Sequence, residues 1–188
     1  MVADLILNLR NCLFPVPPMS NKGSPAESHK TVTWNIRSQG LFKTVLEIDH
    51  GDAEPVTVNT SLFKNAAAFE LNGYTYNMES TSLLKGRYVL NNGNEFVAEA
   101  EKKSVWSGKY NIRFKDVWFG LNPESVFRSG YKIFYNGIEI GSVRKKSIWN
   151  YSAIMNIPAS FDTAFGIFLF WVVFVTWKQN NAAAAASG

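Results

Sequence analysis

The chain has 188 residues, of which 46% are apolar and 18% charged, with a formal net charge of +4. That length and apolar share exclude a chain disordered throughout and allow one ordinary domain with a sizeable core. A single cysteine, Cys12, excludes an intramolecular disulfide framework and a cysteine-based zinc finger, and two histidines, His29 and His50, exclude a multi-histidine metal site within one chain.

The charge is uneven. Residues 1–79 hold 6 basic and 8 acidic side chains, residues 80–188 hold 13 and 7, so the second half carries +6. A basic half of this kind attracts phosphate groups on lipid or nucleic acid. Aromatic residues, 14% of the chain, favour β-structure.

In chain order, an apolar stretch (Leu5-Ile6-Leu7-Asn8-Leu9, then Cys12-Leu13-Phe14) comes first. No basic region precedes it, which makes it a poor secretory signal, and Pro15, Pro17 and Pro18 end it. Residues 19–30 read as a polar linker, so residues 1–30 are expected to form a flexible extension and the fold to begin near Thr31.

From Thr31 to Ile157 the pattern is β. Phe69 and Leu71 alternate before Asn72-Gly73, and Tyr74, Tyr76 and Met78 alternate after it. An Asn-Gly pair between alternating runs predicts a hairpin, because both turn residues must tolerate positive φ. Asn136-Gly137 repeats the device, and Asn92-Gly93 does so less cleanly. At roughly ten residues per strand and turn, this segment holds about a dozen strands. No amphipathic helix interrupts them, so a closed barrel or a sandwich is needed to avoid exposed edges. The chain also echoes itself: Lys102-Lys103-Ser104-Val105-Trp106 resembles Lys145-Lys146-Ser147-Ile148-Trp149 at an offset of 43, and Tyr88 and Tyr131 share that offset. Two related β-units around a closed sheet are the expected cause.

The C-terminal part predicts one helix at about 160–178, with Ser160 as N-cap, Asp162 in the first turn and Lys178 at the far end. Its side chains Phe165, Ile167, Phe168, Leu169, Phe170, Trp171, Val172, Val173, Phe174, Val175 and Trp177 are apolar on every face. Such a helix is buried in protein or lies in lipid. The run falls short of the about 17 residues that a membrane span requires, which favours a buried core helix. Residues 179–188 read as a low-complexity tail outside the fold. A barrel of a dozen strands leaves a lumen, and an all-apolar helix is a fitting plug.

The hairpin Tyr131-Lys-Ile-Phe-Tyr-Asn-Gly-Ile-Glu-Ile-Gly-Ser-Val-Arg-Lys-Lys-Ser147, the run Ala153-Ile-Met-Asn-Ile-Pro158 and the apolar helix after it resemble, in this order, the tubby-like β-barrel superfamily of tubby C-terminal domains, phospholipid scramblases and LURP-one-related proteins. The resemblance covers residues 31–178 and is best in the second half. It implies a mainly β fold, a closed antiparallel barrel of about 12 strands enclosing a hydrophobic central helix. It also implies a non-enzymatic, cytoplasmic module, peripheral at a membrane, that engages phospholipid or phosphoinositide through basic surface residues.

The candidate lipid-binding residues are Lys102, Lys103, Arg144, Lys145 and Lys146 beside Trp106 and Trp149, since lysine suits phosphate and tryptophan the headgroup layer. The alternative role for these lysines is to block edge-to-edge strand pairing. Asp49, Asp52 and Glu54 around Gly51 depart from calcium-loop spacing and read as a solvated turn, with His50 as a turn residue. No catalytic constellation, metal site or cofactor motif is present in the sequence, and nucleic-acid binding is not expected. Two other readings stand: a tail-anchored protein with residues 161–177 in the bilayer, and a protein-interaction module of the same fold.

Overall fold

The computed structural model describes residues 30–39, 45–51, 54–61, 65–82, 86–104, 107–125, 129–147 and 151–186. The N-terminal extension before Lys30, Cys12 within it, Asp52, Trp106 and Trp149 lie outside the described residues.

Twelve strands follow one another in the chain. They are β1 (Thr31–Gln39), β2 (Val45–Asp49), β3 (Val56–Thr60), β4 (Ala66–Leu71), β5 (Tyr74–Ser82), β6 (Arg87–Asn92), β7 (Glu95–Lys102), β8 (Tyr110–Phe114), β9 (Val117–Pro123), β10 (Gly130–Tyr135), β11 (Ile138–Lys145) and β12 (Ala153–Pro158). Each pairs antiparallel with its neighbour in sequence, and β1 pairs with β12, so the sheet closes into a barrel with no free edge. The closing register sets Thr31 opposite Pro158 and Ile36 opposite Ala153.

The turns follow the local chemistry. Asn72 (φ 52°) and Gly73 (φ 78°) join β4 to β5, and Asn136 (φ 49°) and Gly137 (φ 80°) join β10 to β11. Asparagine and glycine tolerate this left-handed pair, which matches the right-handed twist of the flanking strands. Between β6 and β7 the turn residues are Gly93 and Asn94, one place beyond the expected Asn92-Gly93, because Asn92 still pairs with Glu95.

One helix, α1 (Thr163–Ala186), completes the chain. All of Ala164 to Trp177 is buried. Its side chains meet strands around the ring: Phe165 stacks on Phe114 of β8, Trp171 meets Tyr88 of β6 edge-on, and Gly166 faces Trp34 of β1 and Ile157 of β12. A helix covered on every face by the strands of one closed sheet runs inside it. Each fully buried Phe or Val contributes roughly 1.5–3 kcal/mol relative to exposure, so the lumen and the helix stabilise each other.

The N-cap is Asp162, not Ser160. Asp162 Oδ1 accepts the N–H of Phe165 at 3.0 Å, and its carbonyl accepts the N–H of Gly166. Phe161 turns inward against Phe119 and Phe165, which leaves Asp162 as the last extended residue before the helix and Ser160 in the preceding turn. Nor does the helix end at Lys178. It continues to Ala186 as an exposed extension, so residues 179–186, expected outside the fold, carry helix. Gln179 and Asn181 donate to the hydroxyls of Tyr88 and Tyr151 and secure the point where the helix leaves the barrel.

The 43-residue echo is a two-hairpin interval. Leu46, Ala67, Tyr88, Tyr110, Tyr131 and Ala153 are all buried near the starts of the even-numbered strands, at intervals of 21 or 22 residues. The repeating unit is thus one hairpin, used six times. Inside the lumen the Thr176 hydroxyl donates to the Val172 carbonyl at 2.8 Å, so the Tyr110 hydroxyl, 2.7 Å away, donates to Thr176. Burial raises the Tyr110 pKa far above the ordinary phenol value, which keeps that donor protonated. On the outer wall Glu99 lies between Arg87 (2.6 Å) and Arg113 (2.9 Å).

Two outcomes follow. An added Cβ at Gly166 would sit 2.6 Å from Trp34 Cη2. Gly166→Ala should therefore lose about 1–3 kcal/mol to overpacking, outweighing the about 1 kcal/mol gained in helix propensity, and Trp34→Phe in the same chain should recover part of the loss. Thermal unfolding followed by circular dichroism checks this; an unchanged or raised Tm for Gly166→Ala contradicts the close seat. The hydrogen bond from Arg87, chiefly, holds the Glu99 carboxyl below its usual range. Its stabilisation is present above the unfolded carboxyl value of about 4.3 and is lost as pH falls through the folded value. Glu99→Gln should weaken the barrel at neutral pH and flatten the acid limb of a urea-midpoint profile.

Candidate functional site

Strand direction alone decides where the basic residues go. Odd-numbered strands run toward the mouth from which α1 leaves, so the ends of β7 and β11 emerge there together. Lys102 and Lys103 close β7, and Arg144, Lys145 and Lys146 close β11. The two groups are 43 residues apart in the sequence but only four strands apart around the ring, about 19 Å along the sheet at 4.8 Å per strand. Lys178 of α1, next to the Trp177 that Lys145 covers, and Lys109, which precedes β8, lie at the same mouth.

The amines are not equivalent. The stem of Lys102 lies across Gly86, where an added Cβ would be 2.7 Å from Lys102 Cδ, and its Nζ stands 5.9 Å over the Tyr110 ring. Lys103 is exposed, its backbone N–H bonded to the Lys109 carbonyl. Lys145 Nζ lies 4.9 Å over Trp177 and 5.5 Å over Tyr151, a cation held on the aromatic rim of the helix exit. Lys146 is exposed and donates to Asn35 Oδ1 of β1 at 3.4 Å. Lys178 Nζ stands 5.5 Å over Phe174. Desolvation lowers the pKa of both Lys145 and Lys178 from the ordinary lysine value.

Arg144 differs from the other predicted residues. Its Nε donates to Glu124 Oε2 at 3.0 Å and its Nη2 to Glu124 Oε1, a two-pronged pair across β11 and the β9–β10 connection. That pair occupies the guanidinium, whereas the side chains of Lys103 and Lys146 stand exposed.

The remaining sequence candidates do not assemble into a reactive centre. Asp49 Oδ1 accepts the Gly51 N–H at 3.2 Å, a turn-forming bond, and His50 packs by its ring 5.7 Å from Trp34. Among the described residues no group of three His, Cys, Asp or Glu side chains is placed to hold a metal ion. Two open depressions of about 640 and 650 Å³ lie on the wall, one over β3 to β6 and one beside His50 and Glu54.

Sequence reasoning missed Lys109 and Lys178 as members of the mouth, because only the closed topology brings them to β7 and β11. It also missed a regular signal. The apolar pairs Leu41-Phe42, Leu62-Phe63, Leu83-Leu84, Val105-Trp106, Val126-Phe127 and Ile148-Trp149 recur at intervals of 21 or 22 residues in the six segments that join strands ending at this mouth. All twelve lie outside the described residues.

No family model, no curated protein and no solved structure matches the chain. No helix among the described residues is long and apolar enough to cross a membrane.

The Lys145 geometry has a direct readout. In an ammonium-detected NMR titration, Lys145 should lose its proton below the ordinary lysine range. Tyr151→Ala, which opens the ammonium to water, should move the transition back up, whereas an unmoved transition would contradict burial as its cause.

Proposed function

We propose that the protein is a non-enzymatic module that docks on an anionic phospholipid surface through the mouth from which α1 leaves. The observation that carries this reading is the convergence of Lys102, Lys103, Lys109, Lys145, Lys146 and Lys178 on one mouth, where Glu124 is already taken by Arg144. Each Lys near an anionic leaflet contributes about 1 kcal/mol, so six give reversible attraction that falls with salt. The apolar pairs in the six segments, several followed by Lys43, Lys64, Lys85 or Arg128, have the composition of a headgroup-layer contact. A twelve-stranded barrel around a C-terminal helix is also the architecture that the tubby-like resemblance implies, and that resemblance favours a cytoplasmic, peripheral setting.

Co-sedimentation with vesicles tests it. The chain should pellet with phosphatidylserine-containing vesicles at low salt, should stay in the supernatant with pure phosphatidylcholine, and should be released by added salt. Replacing Lys103 and Lys146 by Glu should weaken binding at least about thirty-fold, since removing the two attractions alone is worth about 2 kcal/mol. Absence of binding to anionic vesicles at low salt would overturn the reading.

A further inference from the structure

The opposite mouth carries a feature of its own. The large apolar side chains that stand exposed among the described residues are Tyr74 (59%), Phe96 (43%), Trp118 (58%) and Ile138 (68%). Each lies within two residues of a tight hairpin turn, on β5, β7, β9 and β11 respectively. They therefore form an arc along half of one rim. Two β-bulges take part: one between Leu90 and Asn91 shifts the register so that Phe96 lies opposite Asn91 and under the Arg113 guanidinium, 5.1 Å from its ring. The other, between Ile133 and Phe134, sets Ile138 opposite Tyr135. Next to Trp118, a narrow crevice lined by Phe114, Val117, Phe119, Phe161 and Phe165 opens at the same rim. Scattered apolar residues need no explanation, but these four stand beside four successive tight turns at one rim, Tyr74 and Ile138 on its lumen side and Phe96 and Trp118 on its outer side, and together they mark a contact surface.

The chain itself supplies a fitting occupant. Thr31 pairs with Pro158, and the Lys30 carbonyl accepts the Ala159 N–H at 2.8 Å, so the segment before Lys30 joins the barrel at this rim. That segment includes the apolar stretch Leu5, Ile6, Leu7, Leu9, Leu13 and Phe14. Residues 15–29 reach at most about 50 Å when extended, more than enough to cross the mouth. Residues 5–14 extend to about 33 Å, and the arc from β5 to β11 covers six strand spacings, about 29 Å. A bilayer is the weaker fit, because Glu70, Glu95, Asp116 and Asp162 outnumber Lys30 and Lys115 on this rim and an anionic leaflet repels the excess. We propose that residues 5–14 of the same chain dock across the Tyr74–Phe96–Trp118–Ile138 arc and cover it.

Cys12 is the single cysteine and lies within the proposed segment, so a nitroxide can be attached to it in the otherwise unchanged full chain. The indole N–H of Trp118, assigned with Trp118→Phe, and the amides of Gly73 and Gly137 should lose most of their NMR intensity. The amides of Lys103 and Lys146 at the far mouth should keep theirs. Replacing Leu5, Leu7 and Leu9 by Ser should restore the lost signals while the barrel spectrum stays unchanged. Unbroadened rim signals, broadening that survives the three replacements, or broadening seen only when labelled and isotope-enriched chains are mixed would each overturn the proposal, the last by assigning the arc to a second copy.

Discussion

A helix without a polar face can exist in water only inside something, and a twelve-stranded barrel can close only if its lumen is filled. The rest of the structure depends on that mutual burial. It explains why Gly166 faces Trp34 at a distance that leaves no room for a methyl group. It explains why the one polar side chain of the enclosed stretch, Thr176, returns its hydroxyl to the Val172 carbonyl and receives Tyr110. It also requires β1 to meet β12, a pairing between residues more than a hundred positions apart, so the core depends on the least local contact in the chain.

Closure gives the molecule two unlike ends. At one end even-numbered strands pass to the next odd ones, through two-residue turns everywhere except the six-residue β2–β3 connection. The other is made of longer segments and the departing helix. Because every strand reverses the one before, each hairpin delivers the same part of its repeat to the same end. Basic strand ends therefore accumulate at one mouth and, among the described residues, the exposed large apolar side chains at the other, although neither set is contiguous in the sequence.

The rim chemistry refines the simple picture of a positive patch. A lysine over an aromatic ring, as Lys145 is over Trp177, loses water on one side and keeps its charge directed outward. An arginine clamped by a carboxylate, as Arg144 is by Glu124, contributes rigidity more than attraction. Two residues of one basic run thus do different work because one has a carboxylate within reach and the other a ring.

Much of this was legible in local pattern. Alternation around Asn72-Gly73 and Asn136-Gly137 specified hairpins, and the unbroken apolar run from Phe165 to Val175 specified an enclosed helix, because periodicity and turn stereochemistry act over a few residues. The helix N-cap was misplaced by two residues, since the inward turn of Phe161 against Phe119 is a tertiary contact with no local signature. The basic residues were legible as two runs, but not as one mouth shared with Lys109 and Lys178, nor could the clamp on Arg144 be read from a glutamate 20 positions away. Sequence by itself determined which segments are strand, turn and buried helix, because those choices rest on neighbouring residues. Only the closed barrel decided which side chains share an end, because that depends on strand direction and on the pairing of β1 with β12.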